Sequence, residues 1–335
     1  MFSHIVPKTY LKQWLIDGSN EGIYIFKKNN IQSEGTQRNI SNLTGTNFGK
    51  NNWFNLKIET CNHQIYDKLF NPVLNELLKD YTLEYKNKNI NSPGLFRIVY
   101  LCHRNDLIIK RKSDSAIINV KKLNAIINKS WNDSQKHYIE NFLSKNIENE
   151  WFEYLNNVIN NTHDTIDYEM KKYFSLFITI QLYKDSQIIN MQLNSLIPNI
   201  FKNDSSNNQN EILLDTFYEF INDYETNNLN SNNVIYKAYN NLLNQKWNFK
   251  LLKNNNSDYL TSDNPVFIDK YNGDEAIFFP LCPNMCLIMI KSKKDRTIIE
   301  IVNDIEKRLI NSLIIKNSNE EIAFNNNTIN KKLYH

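Results

Sequence analysis

The sequence predicts an α+β protein with a mostly helical middle and strand-rich ends. Apolar residues recur at helical spacing through much of residues 60–243, whereas short apolar runs bounded by turn residues lie in residues 1–55 and 246–325. Because strands and helices are segregated along the chain, we expect a small mixed or antiparallel sheet built from strands of both ends, packed against the helical middle. We interpret residues 1–335 as a single domain.

The N-terminal part predicts a short amphipathic helix and a strand. Pro7 suits the first turn of a helix, where its missing amide hydrogen costs nothing. Apolar residues then follow at helical steps, namely Tyr10, Leu11, Trp14 and Leu15. Residues 23–26 predict a strand. Residues 33–50, rich in Gly, Thr, Ser and Asn, predict a loop, with a second strand inside it as the alternative.

The helical middle begins near residue 59. One helical face carries Ile65, Leu69, Val73, Leu77 and Leu78. Ser92 and Pro93 open another helix, because proline favours the first turn. The helical pattern continues to about residue 243, with polar breaks such as residues 203–210.

Strands return after Trp247. Short apolar runs cover residues 248–252, 266–268, 276–279 and 286–290. A last helix is predicted over residues 297–315. Its expected apolar face consists of Ile301, Ile305, Leu309 and Leu313.

Composition indicates an ordered globular chain. The sequence is 41% hydrophobic and 22% charged, unlike disordered proteins. The net charge of +3 is too small to indicate a nucleic-acid partner by itself. With 7 Gly in 335 residues, the chain contains no glycine-rich phosphate loop.

The N-terminal sequence, the length of the apolar runs and the cysteines predict where in the cell the protein resides. The chain begins without a basic region followed by an apolar core, so we expect no secretory signal. No run approaches the ~20 apolar residues that cross a bilayer. We therefore expect a cytoplasmic protein with no membrane partner, whose four cysteines are reduced.

Three side chains near the N-terminus form the first candidate site. His4 lies just before the predicted helix, and Lys8 and Tyr10 lie in its first turns. A neutral imidazole in this position can act as acid, base or metal ligand, with Lys8 and Tyr10 binding substrate. The alternative is a helix-entry motif in which His4 hydrogen-bonds to a backbone carbonyl.

A second candidate site lies at a predicted strand end. Ser262, Asp263 and Asn264 precede Pro265, which restarts an extended segment. Asp263 can bind a metal or hold a histidine in one tautomer, and Ser262 can contact substrate. The alternative is an Asx-turn in which Asp263 and Asn264 satisfy their own backbone.

Arginines supply a third candidate feature. Arg97 and Arg104 are seven residues apart, which places them near one helix face, and Arg111 continues the spacing. Such a stripe can bind phosphate through bidentate hydrogen bonds. The alternative is a solvated basic stripe without a ligand.

Two metal sites are conceivable from the sequence. Glu59 precedes a helix and can serve as a general base or as part of a carboxylate site for Mg²⁺ or Mn²⁺; the alternative is a first-turn charge favoured by the helix dipole. Cys61, His63, Cys282 and Cys286 supply four nitrogen or sulfur ligands. Their spacing is unlike a zinc knuckle, so buried free cysteine is the better account.

These segments, in this order, resemble the bacterial domain-of-unknown-function family 4238. The resemblance spans Ser3 to about Phe324 and rests on four motifs: His4-x-x-Pro7-x-x-Tyr10-Leu11, the helix of Arg104, Thr261-Ser262-Asp263-Asn264-Pro265-Val266, and Phe279-Pro280-Leu281-Cys282-Pro283. It implies a bacterial origin but no established reaction. The resemblance supports the hypothesis that one functional site contains His4, Tyr10, Asp263 and Asn264. The family tends to have a small residue where this chain has Cys282, which makes cysteine chemistry there less expected.

The first functional hypothesis is an enzyme, either a nuclease or another phosphodiester-cleaving effector of a defence or toxin system. In this hypothesis His4 is the general acid or base, Asp263 orients it or binds a metal, and Asn264 positions the substrate. Arg97 and Arg104 neutralise phosphate charge.

The alternative is a non-catalytic module that binds a partner protein or a small ligand. The end motifs would then be structural locks that join the two ends of the chain. An open cleft lined by His4 and Asp263 favours the enzyme, whereas burial against backbone favours the binding module.

Overall fold

The structure is a computed structural model that describes residues 2–4, 6–51, 63–160, 167–184, 206–255 and 259–334. The chain divides into two compact units: a first unit within Phe54–Leu143 and Phe201–Tyr236, and a second unit within Phe2–Trp53, Ser144–Ile200 and Lys237–His335. Helices and sheets are both extensive, which confirms the α+β class. Among the described residues, no helix combines the length and apolar character that a bilayer crossing requires.

The helices are α1 (Lys8–Leu11), α2 (His63–Asp80), α3 (Pro93–Cys102), α4 (Val120–Leu143), α5 (Trp151–Asn160), α6 (Tyr168–Lys184), α7 (Ser206–Glu225), α8 (Val234–Asn244) and α9 (Asp304–Asn317). The strands are β1 (Phe2–His4), β2 (Gly22–Lys27), β3 (Thr36–Asn39), β4 (Gly49–Asn51), β5 (Tyr81–Tyr85), β6 (Lys88–Asn89), β7 (Ile108–Arg111), β8 (Trp247–Lys253), β9 (Thr261–Ser262), β10 (Phe267–Tyr271), β11 (Asp274–Cys282), β12 (Met285–Lys291), β13 (Arg296–Ile301) and β14 (Glu321–Phe324).

The first unit contains an antiparallel sheet of order β6-β5-β7 within the stretch expected to be helical. Lys86 and Asn87 both adopt positive φ, at 48° and 60°, which is the backbone twist of a tight hairpin turn. α2 packs against α4 and α3, where the ring of Phe70 lies 5.4 Å from that of Phe96 and 5.2 Å from that of Trp131. These contacts form the aromatic part of the unit's core.

The second unit contains two larger sheets and a strand pair. One sheet has the order β10-β11-β12-β8-β13 and is antiparallel except where β13 runs parallel to β8. The other has the order β3-β2-β14-β9, so that strands from the beginning and the end of the chain are neighbours. β1 pairs with β4. The fold therefore brings the N-terminal and C-terminal motifs into one unit.

The structure differs from the single helix predicted over residues 297–315. Those residues divide between β13 and α9, because Thr297 to Ile301 is rich in β-branched residues and Asn303 caps the helix by accepting the Glu306 amide at 2.9 Å. α9 turns Ile310 and Ile314 towards the core. The expected apolar face is largely exposed instead, at 73% for Ile301, 73% for Ile305 and 47% for Leu309.

Candidate functional site

The N-terminal motif is held at its start by backbone pairing. His4 lies in β1 opposite Gly49 of β4, and the amide of Val6 donates to Phe48 O at 3.3 Å. The side chain of His4 lies outside the described part of the chain. Lys8 donates through Nζ to Ser41 Oγ at 2.5 Å.

The hydroxyl of Tyr10 joins three of the four family motifs, namely its own, that of Thr261 and that of Pro280. Its Oη donates to Pro280 O at 2.7 Å and lies 2.6 Å from Thr261 Oγ1. Since a phenol has one hydrogen and a carbonyl only accepts, Thr261 is the donor in the second bond. The ring is fully buried and stacks on Phe279, with centroids 5.6 Å apart. Burial raises the pKa of Tyr10 well above its usual range, so the hydroxyl stays neutral.

Asp263 binds the chain that follows α9. Its Oδ1 accepts the amide of Asn319 at 2.9 Å, and its Oδ2 accepts the amides of Glu320 and Glu321 at 2.9 and 3.1 Å. The residue is 3% exposed. Burial raises the pKa of Asp263, although the three amide bonds act in the opposite direction. Both carboxylate oxygens are therefore occupied by backbone donors.

The neighbours of Asp263 have similar contacts. Ser262 Oγ donates to Asn264 O at 2.8 Å and accepts the Asn264 amide at 3.2 Å, as in an ST-turn. Asn264 Nδ2 donates to Asn317 O at 3.0 Å, at the end of α9. All three residues of the predicted site are buried. Their described contacts hold the end of β9 against the end of α9 and the residues that follow it, which is a structural role. We call this set of contacts of Ser262, Asp263 and Asn264 the Asp263 lock.

The arginines do not share one helix face. α3 ends at Cys102, and Arg104 lies in a short 3-10 turn that follows. Its Nε donates to Tyr100 O at 3.2 Å, and its guanidinium lies 4.2 Å from the centroid of the Tyr100 ring. Arg97 is half-buried on α3, and Arg111 lies in β7, where it pairs with Asp114 at 2.9 Å. The break at residue 103 therefore interrupts the helical spacing that predicted a phosphate-binding stripe.

The predicted metal ligands are only partly within the described residues. Glu59, Cys61 and the side chain of His63 lie outside them. Among the described side chains, no group of three or more His, Cys, Asp or Glu residues is placed to hold a metal ion. Burial raises the pKa of Cys282 to about 11 and that of Cys286 further still, which disfavours the thiolates that zinc requires.

A cavity of about 410 Å³ lies beside the sheet that joins the two ends of the chain. Its walls come from β2, the turn after it, β3, the loop at Gly45 and Thr46, and β14. The polar lining includes Lys27, Ser33, Glu34, Arg38, Thr46 and Glu321. The volume falls within the usual range for small-molecule sites.

Glu321 connects this cavity to the Asp263 lock. It is buried, and its Oε1 accepts Lys27 Nζ at 2.6 Å while Oε2 accepts the Asn47 amide at 2.6 Å. Its backbone is bound on both sides by Asp263, whose amide donates to Glu321 O at 3.1 Å and whose carboxylate accepts the Glu321 amide. The Asp263 motif thus fixes one wall of the cavity.

A protein-family comparison matches residues 3–328 to the family described as "Protein of unknown function (DUF4238)". The chain belongs to DUF4238. No curated protein and no solved structure matches it. The expected family is therefore confirmed over nearly the whole chain, including all four motifs and every residue that lines the cavity.

The cavity residues of this DUF4238 chain were not singled out from the sequence. Arg38 and Thr46 lie in the polar stretch predicted as loop, and Glu321 is the second of two adjacent acidic residues near the end of the chain. The only indication of these residues in the sequence was the prediction that strands from the two ends of the chain share a sheet. The motif residues, by contrast, were found from sequence, but their roles as locks required the tertiary contacts.

Proposed function

We propose that this DUF4238 chain is a non-catalytic module that binds a small polar ligand in the cavity lined by β2, β3 and β14. The observation that carries the proposal is the fixed position of Glu321. Its carboxylate is held by Lys27 and by the Asn47 amide, and its backbone is held by Asp263. A wall that is fixed before binding reduces the ordering cost of association.

The charges of the cavity indicate where a ligand would attach. Lys27 is already paired with Glu321 at 2.6 Å. Arg38, exposed on β3, forms no ion pair with the residues that the structure describes. A planar guanidinium binds carboxylate or phosphate oxygens bidentately. The ligand class proposed is therefore a small molecule with an anionic group, whose remaining polar atoms contact the hydroxyls of Ser33 and Thr46.

The nuclease hypothesis stays a prediction, together with nucleic acid as partner and Mg²⁺ or Mn²⁺ as metal. The contacts of Asp263 favour the binding module instead. A carboxylate that accepts three backbone amides has little capacity left for an imidazole, a metal ion or a substrate.

A ligand screen tests the proposal. Thermal unfolding of the purified protein would be measured in the presence of one compound at a time, chosen from carboxylates, phosphates, amino acids and nucleotides. Any compound that raises Tm would then be titrated by calorimetry. Arg38→Ala should weaken binding of such a compound by about 1.5–3 kcal/mol, the value of a charge-assisted hydrogen bond, without lowering Tm. Arg111→Ala, which removes a partly exposed strand arginine that does not line the cavity, is the control and should bind normally.

The same preparation should be assayed for cleavage of RNA and DNA with Mg²⁺ or Mn²⁺. Cleavage that His4→Ala abolishes in a folded protein would replace the binding proposal with the nuclease hypothesis. Failure of every anionic compound to bind, or equal binding by Arg38→Ala, would also reject the proposed site.

We also propose a cytoplasmic location. Three cysteines of the described residues, Cys102, Cys282 and Cys286, are free thiols. Unpaired thiols are usual in a reducing compartment.

A further inference from the structure

The charged side chains that line the cavity are balanced in sign. Lys27 and Glu321 form an ion pair, with 2.6 Å between Nζ and Oε1. The two others, Arg38 and Glu34, are exposed and form no ion pair or side-chain hydrogen bond with the residues that the structure describes. A ligand with only an anionic group would pair with Arg38 but would be repelled by the Glu34 carboxylate. The described lining therefore offers one unpaired charge of each sign.

Arg38 lies on the sheet face that forms the floor of the cavity. Ile25 of β2 is opposite Thr36 of β3, so their side chains share a face. Lys27, two residues beyond Ile25, lies on the same face and is opposite Glu321 of β14. Arg38 is two residues beyond Thr36 and therefore also lies on this face. Strand pairing thus fixes the position of Arg38 before a ligand arrives.

Glu34 lies two residues before β3, in a turn whose backbone is fixed on both sides. On one side, the amide of Gly35 donates to Asn327 O at 2.9 Å. A Cβ at position 35 would lie 2.6 Å from the ring of Phe26, so only glycine fits this close approach. On the other side, the amide and the hydroxyl of Ser33 both donate to a carbonyl three residues earlier. The backbone position of Glu34 is therefore also set in advance.

The two unpaired charges are close enough for one small ligand. Four residues of fully extended chain span at most about 14 Å between the Cα atoms of Glu34 and Arg38, and both side chains line the same cavity. Its volume of about 410 Å³ is near the lower end of the ~300–1,000 Å³ range of ligand sites. The apolar lining residues Ile25 and Phe26 are buried, so polar groups dominate the accessible wall. The site therefore suits a short polar molecule.

We propose that the ligand of this cavity is a small zwitterion of the amino-acid class, an inference that rests on the proposed binding function. Its carboxylate binds the guanidinium of Arg38, and its ammonium binds the carboxylate of Glu34. One molecule then compensates both unpaired charges, whereas a simple carboxylate is repelled by Glu34 and a simple amine by Arg38. The Thr46 hydroxyl, which donates to Leu43 O at 2.8 Å, can still accept a hydrogen bond from the ammonium.

The test compares matched molecules that differ in which charged groups they carry. Glycine, β-alanine and γ-aminobutyrate are each titrated by calorimetry beside the acid that lacks the amino group (acetate, propionate or butyrate) and the amine that lacks the carboxylate (methylamine, ethylamine or propylamine). The titrations extend to about 10 mM, since ligands of so few atoms are weak binders. At least one zwitterion should bind about tenfold or more tightly than both of its partners, because each partner loses one charge-assisted hydrogen bond.

Two variants assign the charged groups of the ligand to their residues. Glu34→Gln should weaken binding of the zwitterion by about tenfold but should not weaken binding of the acid. Arg38→Gln should weaken binding of both the zwitterion and the acid. Glu275→Gln, which removes an exposed carboxylate of β11 outside the cavity, is the control and should bind every compound like wild type. All three side chains are exposed, so Tm without ligand should be equal in the variants and wild type.

The outcomes distinguish this inference from the function on which it rests. If anions bind through Arg38 but no zwitterion binds more tightly than its acid, the zwitterion is excluded and the anion-binding function stands. The same conclusion follows if Glu34→Gln binds the zwitterions as tightly as wild type does. If neither the zwitterions nor any anion binds, both the inference and the proposed function are rejected.

Discussion

The hydroxyl of Tyr10 lies 2.6 Å from that of Thr261, a residue 251 positions further along the chain. The same hydroxyl donates to Pro280 O at 2.7 Å. A single buried group therefore joins the three motifs at the two ends of the chain. Since the ring is fully buried, neither bond can be replaced by water without opening the core.

Tyr10→Phe should lower the free energy of unfolding by about 1–3 kcal/mol, because it leaves Pro280 O and the Thr261 hydroxyl without their buried partner. Chemical denaturation with fluorescence detection measures this change. Tyr168→Phe is the matched control, since Tyr168 is exposed on α6, and it should leave stability unchanged. Equal stability of Tyr10→Phe and wild type would show that the bonds contribute nothing.

Asp263→Asn should be destabilising by about 1–3 kcal/mol. The amide nitrogen introduced in place of one carboxylate oxygen must face a backbone N–H of residues 319–321, which leaves a buried donor unpaired. Asp274→Asn, at an exposed hairpin position, is the control and should be neutral. If Asp263→Asn is as stable as wild type, the bonds to residues 319–321 do not have the structural role assigned to them. A catalytic role for this carboxylate would then regain support.

Much of the fold could be predicted from local pattern. The runs at residues 248–252 and 286–290 became β8 and β12, and Pro93 marked the start of α3. The strands β5 to β7 were missed because β5 buries only Leu83 and carries no long apolar run. The helix expected over residues 297–315 was wrong in its first third, because the spacing of Ile301, Ile305 and Leu309 continued by chance from an edge strand into an exposed helix face.

The candidate site shows a different limit of sequence reasoning. The residue types of Ser262 to Asn264 indicated a polar turn, but turn residues serve equally in catalysis and in structure. What distinguishes the two is the partner of Asp263, and that partner lies 56 to 58 residues away at Asn319 to Glu321. Contacts over such a separation depend on the pairing of β9 with β14, which no local pattern specifies.

Asp295 and Lys171 form a partly buried ion pair whose removal should be costly. Lys171 Nζ lies 3.1 Å from Asp295 Oδ1 and also donates to Gln245 O, and its side chain is only 6% exposed. Asp295→Ala should lower the free energy of unfolding by about 3–5 kcal/mol, because it leaves an ammonium buried without its counter-ion. Lys246→Met is the control: Lys246 contacts the same carboxylate from an exposed position and should matter by less than about 1 kcal/mol.

Asp295 should also make the wild type sensitive to acid. Burial by itself would raise the pKa of Asp295, but the Trp247 amide, Lys171 and Lys246 outweigh it and hold the pKa below its usual 3.8. The stabilisation is therefore present above pH 3.8 and is lost as the pH falls through the lowered value. Unfolding measured between neutral and low pH should show a smaller acid dependence in Asp295→Asn than in wild type. An identical dependence in the two proteins would exclude this carboxylate as the cause.

The cysteines of β11 and β12 should be inert in the folded protein. Burial raises the pKa of Cys282 to about 11, so that at pH 8 roughly one thiol in a thousand is ionised. Cys286 is fully buried, and its pKa is raised further. Cys102 is exposed and serves as the internal control. Iodoacetamide followed by peptide mass spectrometry should label Cys102 in the native chain, and Cys282 and Cys286 only after denaturation. Native labelling of Cys282 as fast as Cys102 would mean that its thiolate is accessible, and a metal or redox role at β11 and β12 would then regain support.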